Sequence, residues 1–136
     1  MALQGGAMLR PLAVMMSRTI RTVGPDATLA EAAGLMRDAK VGALLVRDQD
    51  AYVGVVSETD LVRKAMAAGL DPARELVRTV MSSPIITIES HRSAHDASDL
   101  MAEKGIRHLA ITQDGAIVGI ISVRGLLRYF KNWGTL

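Results

Sequence analysis

The sequence contains no cysteine, which excludes disulfides, thiolate nucleophiles and thiolate metal sites. Aromatic residues make up only 3% of its 136 residues, so a core must be built from Val, Ile, Leu, Met and Ala. No apolar run approaches the roughly 20 residues that a helix needs to span a bilayer, and no membrane partner is expected. Neither sign of charge dominates, the net charge being +2. Lysines and arginines are scattered, without the basic stripe and aromatics that stack bases, which argues against nucleic acid. There is also no Walker A loop, no Gly-x-Gly-x-x-Gly turn and no nucleophile–base constellation. No catalytic residue is therefore assigned and no enzyme is expected.

What is present is an ordinary globular balance, 49% hydrophobic and 22% charged, in a chain long enough to bury a real core. The first ten or so residues read as a loose tail. Arg10, Arg18 and Arg21 without an acid give the start a faint likeness to a transit peptide. Met15 to Val23, however, belong to an internal repeat.

Placing Met16 on Met81 aligns the two halves without a gap at an offset of 65 residues. Identities include Met16/Met81, Ser17/Ser82, Ala32/Ala97, Met36/Met101, Leu44/Leu109, Gly54/Gly119, Ser57/Ser122 and Leu61/Leu126. Each half reads as strand, helix, strand, strand, helix. The opening strands are expected at Thr19 to Val23 and Pro84 to Ile88. Thr28 with Glu31, and Ser93 with Asp96, are capping-box patterns that open a helix. Those helices should stop near Lys40 and Gly105. Apolar strands follow at Val41 to Val46 and Arg107 to Thr112, each in a hairpin with Tyr52 to Val56 or Ile117 to Ile121. A last helix starts at Ser57 or Ser122, the first ending at Gly69, and a connecting helix is expected over Ala73 to Met81.

The fold class is thus α+β, two repeats related by a pseudo-twofold, with sheets packed together and helices outside. The expected boundaries are a tail over 1–11, repeat one over 12–70, a connecting helix over 71–79, repeat two over 80–130 and a tail over 131–136. One repeat exposes too much apolar surface to be stable alone. A symmetric pair creates two equivalent clefts between the halves, which suit a ligand.

The "VM-S" openings, the strands "KVGALLV" and "GIRHLAI", and the ends "VGVVSETDLVRKA" and "VGIISVRGLLRYF" together resemble the CBS-domain family, from about Leu12 to Phe130. The resemblance implies a stand-alone tandem pair, a regulatory module that binds an adenosine-containing ligand: AMP, ADP, ATP, NAD(H) or S-adenosylmethionine. No cofactor is required; the nucleotide is a regulatory ligand. The resemblance also implies a homodimer arranged as a disc of four repeats. A regulated partner protein of unidentified kind is expected, since the chain carries no effector domain. The expected location is the cytoplasm.

Gly54-Val55-Val56-Ser57-Glu58-Thr59-Asp60 is the strongest local motif. A helix N-terminus presents free N–H groups and a positive dipole end that suit phosphate. Ser57 and Thr59 can add hydroxyls, and Asp60 offers acceptors for a ribose diol, the role the resemblance implies for it. The alternative is structural, because Ser57 with Asp60 is itself a capping box by spacing. Repeat two carries Gly125 where repeat one has Asp60, so one competent adenosine site per chain is expected. The resemblance lays the base against Ser82, Pro84, Ile85 and Ile86. Its phosphate side falls to Arg107, His108 and Arg124, a positive corner suited to phosphate oxygens. Gly42 and Ala43 occupy the positions of Arg107 and His108 in repeat one. The basic corner is therefore asymmetric too, and that disfavours the cationic S-adenosylmethionine. The alternative for Arg107 and His108 is a solvated strand end or a dimer contact.

His91 and His95 stand four residues apart, but the cap at Ser93 falls between them, so they read as exposed histidines and not as metal ligands. Tyr129, Phe130 and Trp133 form a C-terminal aromatic cluster that either crosses a dimer interface or caps the last helix. The main alternative function is a ligand-free dimerisation or scaffold module.

Overall fold

The computed structural model describes residues 10–133. It forms two compact units, one made of Arg21–Ile85 and the other of residues 10–20 with 86–133. The units do not follow the sequence repeats, because each takes its opening segment from the other repeat.

In the Arg21–Ile85 unit, β1 (Thr22–Val23) is followed by α1 (Leu29–Ala39) and the hairpin β2 (Ala43–Asp48) and β3 (Ala51–Ser57). The sheet order is β1-β2-β3, with β1 parallel and β3 antiparallel to the central β2. Thr28 caps α1 in a complete capping box with Glu31. Lys40 ends α1 in the left-handed conformation. Gln49 takes a positive φ in the hairpin turn.

α2 opens as Glu58–Asp60 and continues as a π-helix over Leu61–Met66, where Ala67 N–H donates to the Val62 carbonyl. It closes at Gly69, whose φ is 72°, with Leu70 N–H donating to the Ala65 carbonyl. That bond satisfies an otherwise orphaned carbonyl at a helix end. The connecting helix expected over Ala73 to Met81 is shorter: α3 spans only Val77–Val80. Asp71 instead accepts from the Ala73 N–H and folds residues 71–75 into turns. Leu76 then bridges to Thr28, which holds it in extended backbone.

The other unit repeats the plan. β4 (Thr87–Glu89), α4 (Ala94–Lys104), β5 (His108–Gln113), β6 (Ala116–Ser122) and α5 (Val123–Trp133) give the sheet order β4-β5-β6. Ser93 and Asp96 complete the second capping box, and Gly105 ends α4 with a left-handed φ of 66°. α5 runs past residue 130, where the repeat was expected to end. Residues 1–9 and 134–136 of the expected tails lie outside the described residues, but Pro11 already pairs with Ser93.

The exchanged segments are held the same way in both units. Ser82 and Val55 exchange backbone hydrogen bonds of 2.8 and 3.0 Å. Ser17 and Ile120, each 65 residues from those partners in number, exchange two of 2.9 Å. The two cores also correspond. Val23, Leu29, Ala32, Met36, Leu44, Val46, Val56 and Val77 are buried together. Their counterparts Ile88, Ala94, Ala97, Met101, Leu109, Ile111, Ile121 and Leu12 form the second core. Leu12 is fully buried, and burying a leucine contributes about 1.5–3 kcal/mol, so the exchanged segment is anchored by packing as well as by its ladder.

Tyr129 and Phe130 are buried in the second core, with their rings edge to face at 5.4 Å. Trp133 is half-exposed, with the Arg10 guanidinium 3.7 Å over its ring. The aromatics thus pack within their own unit. Among the described residues, no helix is long and apolar enough to cross a membrane.

Candidate functional site

The site grows from the β3–α2 junction. β3 ends at Ser57 with extended backbone, φ −124° and ψ 166°, and the chain turns into the helix one residue later. The Ser57 hydroxyl accepts from the Asp60 N–H at 3.2 Å. The carboxylate returns the bond, Oδ2 accepting from the Ser57 N–H and from its hydroxyl, both at 3.0 Å. This is a complete capping box, and the structural reading of the pair holds.

The other carboxylate oxygen faces different partners. Asp60 Oδ1 accepts from the Ser82 hydroxyl at 3.0 Å and from Lys64 Nζ at 3.0 Å. The Lys64 ammonium also donates to Ser82 Oγ at 3.0 Å and to the Val80 carbonyl at 3.2 Å. Asp60 is 6% exposed and is the one buried charged residue among those described. A buried carboxylate is costly unless paired and hydrogen-bonded, and here it is both. Ser82 reaches it because the exchanged segment pairs with Val55, two residues before Ser57.

The structure therefore brings Ser57, Asp60 and Ser82 together. Thr59 is half-buried on the first turn of α2. Pro84, which follows a cis peptide bond, and Ile85 lie on the same exchanged segment of the same unit. Ile86 begins the other unit, where it packs on the second core and its carbonyl accepts from the Ala110 N–H.

Arg107, His108 and Arg124 also belong to the other unit. His108 opens β5 opposite Ser122, and the Arg107 carbonyl accepts from the Val123 N–H at the start of α5. Burial pushes the His108 imidazole below its ordinary value, and the charges of Arg107 and then Arg124 push it further. Arg107 and Arg124 thus act on the His108 ring, which they and burial hold toward its neutral form, at the start of α5. The hydroxyl of Ser122 caps α5 by accepting from the Gly125 N–H at 3.0 Å, with no carboxylate at that position.

Sequence reasoning missed Lys64. The signal was available, since a lysine four residues after an acid is a helical ion-pair spacing. Repeat two loses both members, with Gly125 and Tyr129 in their places. His95 stacks against Phe130 at 5.0 Å, and Ser93 caps α4 between His91 and His95.

The CBS domain model matches this sequence twice, over residues 12–67 and 77–132. The CBS domain-containing protein YhcV of Bacillus subtilis is 35% identical over 111 residues, 82% of this chain and 79% of that protein. An uncharacterized protein of Methanopyrus kandleri is 35% identical over 113 residues; the match spans 82% of this chain and only 58% of that longer protein. A solved structure from Burkholderia ambifaria, provisionally assigned to signal transduction and carrying CBS domains, superimposes with a TM-score of 0.83. It is 30% identical, with 88% of each chain covered. With two matched domains, two matching folds of one plan and relatives that share them, the chain belongs to the CBS-domain family.

Proposed function

We propose that this chain is a regulatory module that binds an adenosine nucleotide (AMP, ADP, ATP or NAD(H)) at Asp60 and signals to a partner protein by a change of conformation or dimer geometry. CBS-domain pairs are generally regulatory or signal-transduction modules, which supports the coarser part of this reading. The observation that carries the finer part is the division of the Asp60 carboxylate. Oδ2 is committed to the helix cap, whereas Oδ1 meets only Ser82, which is exposed, and Lys64, which is half-exposed. Ribose hydroxyls can take over such bonds without undoing the fold. A ligand acts as a switch only through a difference in its affinity for two states.

A second reading has its own support. Every acceptor of Asp60 is satisfied by protein groups, as a ligand-free dimerisation or scaffold module requires. Exposed apolar Val62 and Met66 on α2, and Leu127 on α5 at the position equivalent to Val62, support a homodimer under either reading.

Thermal melts with about 1 mM of each nucleotide separate the two. A ligand at 100 times its dissociation constant adds about 2.7 kcal/mol, which raises Tm on the order of 10 °C in a domain of this size. The nucleotide reading expects such a shift in wild type and its loss in Asp60→Asn, which keeps an acceptor for the cap. Flat melts with all four nucleotides, in protein shown to be ligand-free, support the scaffold.

A further inference from the structure

We infer that Lys64 is a displaceable plug on Asp60, so that a nucleotide enters the site by expelling the lysine ammonium; this rests on the nucleotide reading above. A carboxylate offers about four lone-pair sites, and all four are taken. Two on Oδ2 go to the Ser57 N–H and hydroxyl, and two on Oδ1 go to Lys64 and Ser82. A ribose hydroxyl therefore cannot reach Asp60 until one of these donors leaves.

The Ser57 donors cannot leave without opening the helix cap. Ser82 can turn its hydroxyl but cannot withdraw, because its backbone exchanges two hydrogen bonds with Val55, so it frees at most one of the two acceptor sites that a ribose diol needs. Lys64 is different. Its side chain is 48% exposed against 8% for that of Asp60, and its head hangs on a flexible four-carbon stem. Its ammonium has three donors and finds three acceptors in one place: Asp60 Oδ1, Ser82 Oγ and the Val80 carbonyl. The closed arrangement is thus complete in itself, while the open one restores the hydration of an ammonium that is already half in water.

Lys64 also sits in the π-helical stretch Leu61–Met66 of α2, a rare geometry that occurs frequently at functional sites. The plug is confined to the competent site. Where Gly125 replaces Asp60, the position equivalent to Lys64 is the buried Tyr129, so lysine and carboxylate are present together or absent together.

Two measurements test the plug, using AMP, ADP, ATP and NAD as probes. The first is the rate at which an amine-acylating reagent modifies Lys64 in wild-type protein, read by peptide mass spectrometry with exposed Lys104 as internal reference. Saturation with a nucleotide that binds should speed Lys64 modification several-fold and leave Lys104 unchanged. The second is the affinity of Lys64→Met by titration calorimetry, expected to be about tenfold tighter than wild type, a change equal to about 1.4 kcal/mol. A nucleotide that binds wild type without speeding Lys64 modification overturns the plug and leaves the nucleotide reading standing, whatever the variant does. If no probe binds either protein, the nucleotide reading falls and the plug with it. Should Lys64→Met not fold, the labelling of wild type decides alone.

Discussion

Gly54 lies so close to Ser82 that a Cβ on it would stand 2.9 Å from the Ser82 carbonyl oxygen, and equally close to the Met81 sulfur. The equivalent Gly119 meets Ser17 and Met16 more tightly still, at 2.8 and 2.5 Å. The absent side chain is what lets each exchanged segment lie on its β-strand and form its two backbone bonds. The sulfur can swing away, but the carbonyl belongs to the ladder and cannot. Gly54→Ala and Gly119→Ala should each destabilise by about 1–3 kcal/mol, the usual cost of overpacking. Gly24 has nothing within 4 Å of its Cβ position, so Gly24→Ala should fall within about 0.5 kcal/mol of wild type. Urea unfolding of the three variants checks this. Equal stabilities would show that the close approach is not what holds the segments.

The cap and the buried pair at Asp60 separate by substitution. Asp60→Ala removes the carboxylate from the capping box and should cost about 0.5–2 kcal/mol for the cap alone. The stranded donors of Ser57, Ser82 and Lys64 add to that cost. Asp60→Asn keeps one acceptor oxygen and should lose less. Denaturant midpoints give the order, and an Asn variant as unstable as the Ala variant would mean that charge, not capping, dominates.

His108 makes stability depend on pH in a defined direction. Burial lowers its pKa from the ordinary 6.5, and the neighbouring Arg107 and Arg124 lower it further. Above that ordinary value the imidazole is neutral whether the chain is folded or not, and it contributes nothing to the difference. As pH falls below it, the unfolded chain takes up the proton first, so stability drops. The drop ends only when the folded imidazole also protonates. Urea midpoints at pH 7.5 and 5.5 should therefore differ more in wild type than in His108→Gln. An equal difference in both would place the acid sensitivity elsewhere.

The apolar residues left on α2 and α5 make a further expectation. Val62 and Leu127 are each 54% exposed and Met66 is 75% exposed, on helices that bury Ala65, Leu126, Tyr129 and Phe130 on another face. Light scattering should give twice the chain mass for wild type and a monomer for Val62→Glu combined with Leu127→Glu. A double variant that keeps the mass of the dimer would move the interface away from these helices.

Much of this molecule is legible one short window at a time. Thr28 with Glu31 and Ser93 with Asp96 mark the starts of α1 and α4, because a cap closes its hydrogen bonds within three residues. The 65-residue offset pairs almost every core position of one half with its counterpart, because the repeat preserves the strand and helix periods that face a residue inward. Ser57 and Asp60 are visible for the same reason. The expected helix over 73–81 failed because this stretch finds partners outside its own window: Leu76 pairs with Thr28, far back in the chain, and the Pro72 and Glu75 carbonyls accept from the Ala30 and Leu29 N–H groups.

The sequence by itself determined the family, the two-fold repetition, the caps and the position of the lone carboxylate, all of which depend on residues near one another in the chain. Only the tertiary structure decided that each unit borrows its opening segment from the other repeat. It also decided that Ser82, 22 residues beyond Asp60, completes the carboxylate with Lys64. Those relations rest on backbone pairing between distant segments, Val55 with Ser82 and Ser17 with Ile120. Such pairing leaves no local period to read, because the residues that choose each other are joined by hydrogen bonds across the fold and not along the chain.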